Sequence, residues 1–99
     1  MPKAKKQTKK PAVTEVWTVG KAYFIRTVTN YFTGRLILVT PQELVLEDAA
    51  WIADTGRFAD AIAKGQLNEV EPYPSRVIIG RGSVVDACEW DAALPRAQA

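Results

Sequence analysis

The sequence contains no histidine. Histidine is the commonest general base of enzymes and a frequent zinc ligand, so its absence excludes Ser-His and Cys-His catalysis and the usual zinc sites. A single cysteine, Cys88, cannot form an internal disulfide, which is typical of a protein from a reducing compartment. Because Cys88 lies in an apolar run, we expect a small core side chain rather than a nucleophile. These absences favour a protein that is not an enzyme and needs no metal or cofactor.

Long apolar runs are also missing. No run approaches the roughly 18 residues of a membrane span, and no apolar stretch follows the basic start as in a signal peptide. We therefore expect a soluble protein of the cytoplasm that makes no membrane contact. The 99 residues suffice for one domain, and a hydrophobic fraction of 47% is that of an ordinary globular protein.

The net charge of +2 is unevenly distributed along the chain. Five of the basic residues fall within the first ten positions: Lys3, Lys5, Lys6, Lys9 and Lys10. From residue 11 onward 8 basic and 11 acidic residues remain, a formal charge of −3. We expect residues 1–12 to form a disordered basic tail, residues 13–92 a single domain and residues 93–99 a frayed C-terminal tail. The basic tail either only solubilises the domain or makes weak, salt-sensitive contact with nucleic acid.

Short apolar and β-branched runs alternate with turn residues, which is the pattern of an antiparallel meander. The expected strands are residues 13–19, 22–29, 35–40, 43–50, 76–79 and 84–87, with an edge strand or extended connector at 66–74. Residues 30–34 are expected to form a turn that exposes Tyr31 and Phe32. The predicted fold class is α+β: an antiparallel β-meander of about five to six strands with one short amphipathic helix packed on it.

The helix is expected at residues 56–64, after a strand that breaks at an Asp-Thr-Gly-Arg corner. Asp54 or Thr55 can cap its start, and Gly65 can end it in the left-handed conformation. Its apolar face is formed by Phe58, Ala59, Ile62 and Ala63. We expect this face to lie on the sheet, with Phe58 as its anchor in the core.

Glycine precedes arginine at three places: Gly34-Arg35, Gly56-Arg57 and Gly80-Arg81. Each pair combines backbone amides that are free to turn outward with a guanidinium that binds phosphate or carboxylate bidentately. If these loops converge, in one chain or across an oligomer interface, they would form a nucleotide-sized anion site. Its residues would be Arg35, Thr55, Gly56, Arg57, Arg81 and Gly82. The alternative is that the glycines form ordinary turns and the arginines are solvated.

Large aromatic side chains are numerous for so small a core. Some of them are therefore candidates for a contact between copies of the chain, which the open edges of a meander also favour. The candidate interface residues are Tyr31, Phe32, Trp51 and Trp90. We expect a homo-oligomer.

Two segments, residues 44–58 and 77–90, resemble a family of short proteins encoded by tailed bacteriophages and prophages. The blocks that carry the resemblance are Leu-Glu-Asp-Ala-Ala-Trp-Ile-Ala-Asp-Thr-Gly-Arg-Phe at 46–58, Glu-Val-Glu-Pro at 69–72, and Val77 to Trp90. With residues 24–29 and Gly34-Arg35 included, the resemblance covers most of the chain from about residue 22 to 90. The family is one of unknown function, so the resemblance implies a source more than an activity.

A phage source implies a small non-enzymatic binding protein that acts in the host cell cytoplasm. The expectation that fits the Gly-Arg pairs and the aromatics is a homo-oligomer that sequesters an anionic nucleotide-type ligand to counter host defence. One alternative is a head or tail accessory protein of the virion. The other is an inhibitor that binds a host defence protein, such as a CRISPR effector, directly.

Overall fold

The computed structural model describes residues 15–99. Its elements are β1 (Ala22–Thr27), β2 (Tyr31–Val39), β3 (Glu43–Asp54), α1 (Phe58–Lys64), β4 (Glu69–Pro72), β5 (Val77–Gly80) and β6 (Val84–Glu89). All strand pairs are antiparallel, in the order β4-β3-β2-β1-β6, and β5 also pairs with β3. The predicted α+β class, a meander-like antiparallel sheet with one short helix, is confirmed. No helix among residues 15–99 is long and apolar enough to cross a membrane.

Strand β3 organises the sheet because it has three partners. One edge pairs with β2, while on the other edge residues 43–46 pair with β5 and residues 50–54 with β4. Between these halves Asp48 has a φ of +49°, and the pairing with β2 shifts register. Such a bulge bends a strand. Gly34 lies opposite the bend, where a Cβ would come within 2.9 Å of the Leu46 Cδ1.

The two ends of the sheet are joined by a 3₁₀ turn at Arg81–Ser83, which links β5 to β6. Since β5 pairs with β3 and β6 pairs with β1, this short link connects strands that pair on opposite sides of the β3-β2-β1 run. Two backbone hydrogen bonds fix the turn: the Arg81 N–H donates to the Gln42 carbonyl (2.8 Å) and the Val28 N–H donates to the Ser83 carbonyl (2.9 Å).

Apolar side chains pack on both faces of the sheet. On β1, Tyr23 and Ile25 join an inner cluster and Phe24 joins an outer one, as the alternation of side chains along a strand requires. The inner cluster consists of Tyr23, Ile25, Phe32, Leu36, Leu44, Leu46, Ala49 and Ile79. The outer cluster consists of Phe24, Ala50, Ile52, Val70 and Trp90. Leu67, between α1 and β4, and Leu94, near the C-terminus, pack against the outer cluster.

The strand expected at residues 13–19 is wrong for its described part. Residues 13 and 14 lie outside the described residues, and residues 15–19 form no strand. Instead, the Trp17 ring packs edge-on against Tyr23 at 5.0 Å, and the Thr18 N–H donates to the Tyr23 hydroxyl (2.9 Å). Contact with one side chain of β1 thus replaces pairing with its backbone.

The turn expected at residues 30–34 is also wrong, because the chain turns earlier. The Thr27 N–H donates to the Asn30 carbonyl (2.8 Å), and the Asn30 N–H donates to the Thr27 hydroxyl (3.0 Å). The turn is therefore complete before Tyr31, which is the first residue of β2. As a result Phe32 is buried inside the sheet, with its ring 6.2 Å from that of Tyr73.

The helix begins at Phe58, later than expected, and Arg57 is its N-cap without a side-chain hydrogen bond. The expected cap by Asp54 or Thr55 is wrong, since both side chains bond within the preceding turn. The expected end is confirmed: Gly65 has a φ of +72°, and its N–H donates to the Ala61 carbonyl (2.9 Å). The buried helix residue is Ala61, so the expectation that Phe58 anchors the core is wrong.

The C-terminal segment, for which the sequence predicts fraying, lies against β3 and β4. Ala99 and Val70 exchange two backbone hydrogen bonds of 3.1 Å. The Arg96 guanidinium donates to the carbonyls of Ala49 (3.0 Å) and Tyr73 (3.1 Å). The segment thus covers part of the outer edge of β4.

Candidate functional site

The three Gly-Arg pairs are spread along β3 rather than gathered at one end of the sheet. Gly80 pairs with Glu43 at the beginning of β3, and Arg35 pairs with Glu47 near its middle. Gly56 and Arg57 follow the end of β3 at Asp54. Within one chain the pairs therefore do not build the single anion site that was expected if the three loops converged.

Two of the three guanidiniums hold the backbone in place. The Arg81 Nη1 donates to the Thr40 carbonyl (2.8 Å), and its Nη2 forms an ion pair with Glu15 (3.1 Å). The Arg35 Nη1 donates to the Gly20 carbonyl (2.9 Å). Gly82 is exposed beside Arg81 with open space around it. These contacts favour a structural role for Arg35 and Arg81 at the sheet's turns.

The amide that precedes the helix is already occupied. The Gly56 N–H donates to the Asp54 Oδ1 (2.8 Å), and the Thr55 hydroxyl donates to the Gly56 carbonyl (2.9 Å). Arg57 differs from the other two arginines, since it is exposed and has no ion-pair partner among residues 15–99. Of the three Gly-Arg pairs, Gly56-Arg57 is the one whose guanidinium forms no ion pair in the part of the chain that the structure describes.

A shallow groove of about 310 Å³ contains the Arg35 side chain. It is lined by Lys21, Ala22, Arg35, Glu89, Trp90, Asp91 and Ala92. The Lys21 Nζ lies 3.4 Å from a carboxylate oxygen of Glu89. The groove thus holds two cationic and two anionic side chains, and its charges balance.

The four candidate interface residues do not form one surface. Phe32 and Trp90 are buried, with exposed fractions of 7% and 5%, which corrects the expectation that they are available for contact. The Trp90 ring stacks on Phe24, and its Nε1–H donates to the Ala93 carbonyl (3.2 Å). Tyr31 and Trp51 are each more than a third exposed, but they are cross-strand partners of Ile52 and Phe32 respectively. Since Ile52 belongs to the outer cluster and Phe32 to the inner one, Tyr31 and Trp51 lie on opposite faces.

The structure does bring together a set of aromatic and aliphatic side chains on the outer face. Phe24 is buried at its centre, and its ring lies 5.9 Å from Tyr31 and 6.0 Å from Phe58. Phe58 is 48% exposed, Ile62 one helical turn further is 38% exposed, and Tyr31 is 37% exposed. We call Tyr31, Phe58 and Ile62, with Phe24 beneath them, the outer aromatic surface.

An ion pair borders this surface. The Arg26 Nε donates to the Asp86 Oδ1 (2.7 Å), and a second bond joins Arg26 Nη2 to Asp86 Oδ2. The Arg26 guanidinium also lies over the Phe58 ring, 5.5 Å from its centroid, where the electron-rich face attracts the cation. The hydrogen bonds from Arg26 lower the pKa of Asp86. Sequence reasoning missed this pair because the contact depends on the β1–β6 register, which no local pattern encodes.

Cys88 is half-buried and packs against the outer cluster, as expected of a small core residue. Burial raises the pKa of its thiol, and the carboxylates of Asp86 and Asp91 raise it further. A thiol with a raised pKa is largely protonated at neutral pH and is a weak nucleophile. Among residues 15–99 no group of three or more side chains is placed to hold a metal ion.

Comparison with protein-family models, curated proteins and solved structures gave no match for this chain. The resemblance to short phage and prophage proteins therefore stays a prediction. The lysine-rich tail, with Lys3, Lys5, Lys6, Lys9 and Lys10, lies outside the described residues.

Proposed function

We propose that this chain is a small non-enzymatic binding protein that contacts another protein through its outer aromatic surface. The observation that carries the proposal is the exposure of Tyr31, Phe58 and Ile62 around a buried Phe24. Adjacent exposed apolar side chains with a polar border are typical of protein-protein contact sites. Tyrosine and arginine are also among the residue types that contribute most binding energy in such sites.

The surface is held in shape before any partner arrives. Phe58 is fixed between the edge-on contact with Phe24 and the guanidinium of Arg26, and Arg26 is in turn held by Asp86. An anchor that is already ordered loses little conformational freedom on binding, so more of its contact energy appears as affinity. The fixed position of the Phe58 ring therefore supports a role in contact with a partner.

The proposal is tested by comparing the wild type with Phe58→Ser and with Ile78→Ser, purified with cross-linking from cells that produce the protein. Ile78 is the matched control because it is an exposed aliphatic side chain on β5. We expect a partner to be retained by the wild type and by Ile78→Ser and lost by Phe58→Ser, with all three folded by circular dichroism. Equal retention by all three proteins would remove the outer aromatic surface from the proposal.

The second candidate function is a homo-oligomer that sequesters an anionic nucleotide-type ligand. The groove with Lys21 and Arg35 supports it, since its volume of about 310 Å³ is within the range of small-molecule sites. Glu89 and Asp91 oppose an anion in a lone chain, so this function needs further cations from a neighbouring copy. Another copy could supply Arg57, whose guanidinium has no ion-pair partner among residues 15–99.

Native mass spectrometry and calorimetry with ADP-ribose and a cyclic dinucleotide test this second function. We expect a discrete oligomer that carries a small extra mass, with affinity lost in Arg35→Ala and in Arg57→Ala. Arg76→Ala is the control, because Arg76 is exposed and lies outside the groove. A bare monomer that binds neither nucleotide would exclude sequestration.

The biological setting is a proposal that rests on the sequence resemblance. A phage-encoded protein of this kind would act in the host cytoplasm, where its partner is a host defence protein, or in the virion as a head or tail accessory. Mass spectrometry of purified particles separates the two settings, because a virion accessory is present there at high copy and a cytoplasmic inhibitor is absent.

A further inference from the structure

We propose that β6 pairs with β6 of a second copy of this chain, antiparallel and centred on Cys88, so that two sheets join into one. This inference goes beyond the proposed function, because it uses the edge of a strand and not the exposed side chains of the outer aromatic surface. It depends on three observations: the open edge of β6, the direction of its backbone groups, and the charges that a two-fold axis brings together.

Strand β6 forms an edge of the sheet that the described residues leave open. Its six residues pair with β1 on one side, and within residues 15–99 no strand pairs with the other side. At the opposite edge, β4 ends at Pro72 and is bonded to Ala99, while β5 has only four residues. Strand edges are usually protected by proline, lysine or a covering segment. The part of the chain that the structure describes gives β6 none of these.

The hydrogen-bond pattern shows which backbone groups of β6 point away from β1. The Trp90 N–H donates to the Ala22 carbonyl (2.9 Å), so these residues form a hydrogen-bonded pair. Such pairs alternate along an antiparallel ladder, and the register with β1 has no shift over this part of β6. Cys88, two residues earlier, therefore also bonds to β1, whereas the N–H and C=O groups of Ala87 and Glu89 point outward. Among residues 15–99 no other strand bonds to them.

Space remains beside this part of the strand. An open groove of about 280 Å³ adjoins it. The groove is lined by Val16, Trp17, Tyr23, Ala87, Cys88 and Glu89. Glu89 and Val16 are exposed, while Ala87 and Cys88 are half-buried. The end of β6 that carries the outward backbone groups is therefore accessible from solvent.

Charge and backbone direction together select the register. Outward groups must face outward groups, so one residue of β6 faces its own copy at the axis. Centring on Asp86 or Glu89 would place two identical carboxylates opposite each other, which is unfavourable. Centring on Ala87 would pair Glu89 with Val85, which lies at the register shift between β1 and β6. Centring on Cys88 pairs Ala87 of each copy with Glu89 of the other, so that both sets of outward groups are bonded.

The charges of β6 are compatible with this register. Asp86 is bonded to Arg26, and a carboxylate oxygen of Glu89 lies 3.4 Å from the Lys21 Nζ. In the pair centred on Cys88, neither carboxylate faces its own counterpart. Because Cys88 faces Cys88 across the axis, corresponding faces of the two sheets stay on the same side. The two outer aromatic surfaces therefore also lie on one side of the joined sheet.

The pairing is tested by sedimentation of the full-length wild type, Cys88→Ser, Ala87→Pro and Cys88→Asp, with folding checked by circular dichroism. Proline at 87 removes an outward N–H and no bond to β1, so the fold should persist. We expect Cys88→Ser to dimerise as the wild type does. Ala87→Pro should dimerise about tenfold more weakly, because each copy loses a bond that it donates. Cys88→Asp places two carboxylates opposite each other and should weaken the dimer as well.

Oxidation of the native cysteine tests the register. Opposite residues that exchange no hydrogen bonds have Cα atoms about 4.5 Å apart, a separation that a disulfide spans. Diamide, which takes up the protons and electrons that the thiols release, should therefore link Cys88 of the two copies. The control is Cys88→Ser with Val85→Cys, an exposed position that does not face itself in this register. We expect a linked dimer on a non-reducing gel for the wild type and none for the control.

The other outcomes separate this inference from the proposed function. A monomer at every concentration up to the solubility limit overturns the inference and leaves the outer aromatic surface as a contact site. A dimer that Ala87→Pro and Cys88→Asp retain and Phe58→Ser abolishes places the contact on that surface and overturns the edge pairing. Equal linking in the wild type and the Val85→Cys control overturns the register centred on Cys88.

Discussion

At the scale of single residues, the same side-chain type has opposite roles in this protein. Phe24 is 1% exposed and lies at the centre of the outer cluster, whereas Phe58 is half-exposed and lies at its border. The local sequence does not show which of the two rings is buried. The two rings differ in the element that carries them. Phe24 lies on β1, which is paired on both edges, whereas Phe58 is the first residue of a short helix.

Alanine substitutions should therefore differ at these two positions. We expect Phe24→Ala to lower the free energy of unfolding by about 3–5 kcal/mol, since it removes a fully buried ring and leaves a cavity. Phe58→Ala should cost only about 1 kcal/mol, because half of that ring is already in water. Urea unfolding measures both, and similar losses at the two positions would contradict the assignment of Phe24 as the anchor.

The Arg26–Asp86 pair predicts an acid-dependent contribution to folding. Arg26 holds the folded-state pKa of Asp86 below its ordinary value of about 3.9. The stabilisation is therefore present above the unfolded pKa and is lost as the pH falls through the folded pKa. By carbon-detected NMR titration we expect a low midpoint for Asp86 that rises in Arg26→Gln and does not change in Lys64→Gln. An identical midpoint in Arg26→Gln would show that the pair has no influence in solution.

At the scale of elements, the ends of the helix show how far local sequence signals reach. Gly65 ends α1 as predicted, because glycine adopts the left-handed conformation of this common helix ending without steric cost. The start was predicted wrongly, because Asp54 and Thr55 are used in the turn that leaves β3. A capping side chain has several possible acceptors or donors nearby, and the fold decides which one it meets.

Replacement of Gly65 tests the helix end. Its φ is +72°, and an added Cβ would lie 2.3 Å from the Ala92 Cβ. We expect Gly65→Ala to destabilise the protein by about 1–3 kcal/mol, through both the strained backbone and the contact with the C-terminal segment. Gly82→Ala is the control, since nothing lies within 4 Å of that position. Thermal unfolding compares the two, and an unaffected Gly65→Ala would contradict both the left-handed backbone at this position and the close contact with Ala92.

At the scale of the whole molecule, charge is divided between two parts. Residues 15–99 have a formal charge of −3, with 8 basic and 11 acidic side chains, while the first ten residues have five lysines. The folded part is thus a poor candidate for binding nucleic acid by itself. Any affinity for DNA should belong to the tail.

Removal of residues 1–10 tests this division. We expect the full chain to bind duplex DNA weakly and without sequence preference, with a slope of log K against log salt no steeper than about −4.5. The truncated chain should not bind, while Lys64→Ala should bind as the full chain does. Fluorescence anisotropy at several salt concentrations measures this, and retained affinity after truncation would place the DNA contact on the folded part.

The sequence by itself determined the fold class, the positions of most strands, the helix and its glycine end, and the absence of histidine chemistry. These follow from local periodicity, backbone requirements and composition, which need no knowledge of distant contacts. Only the tertiary structure decided that β2 begins at Tyr31, that Phe32 and Trp90 are buried, and that Arg26 meets Asp86. It also decided that Arg35 and Arg81 bond to backbone carbonyls at turns, while Arg57 has no ion-pair partner within residues 15–99. Register and the packing of one face against another set these outcomes, because each joins residues far apart in the chain.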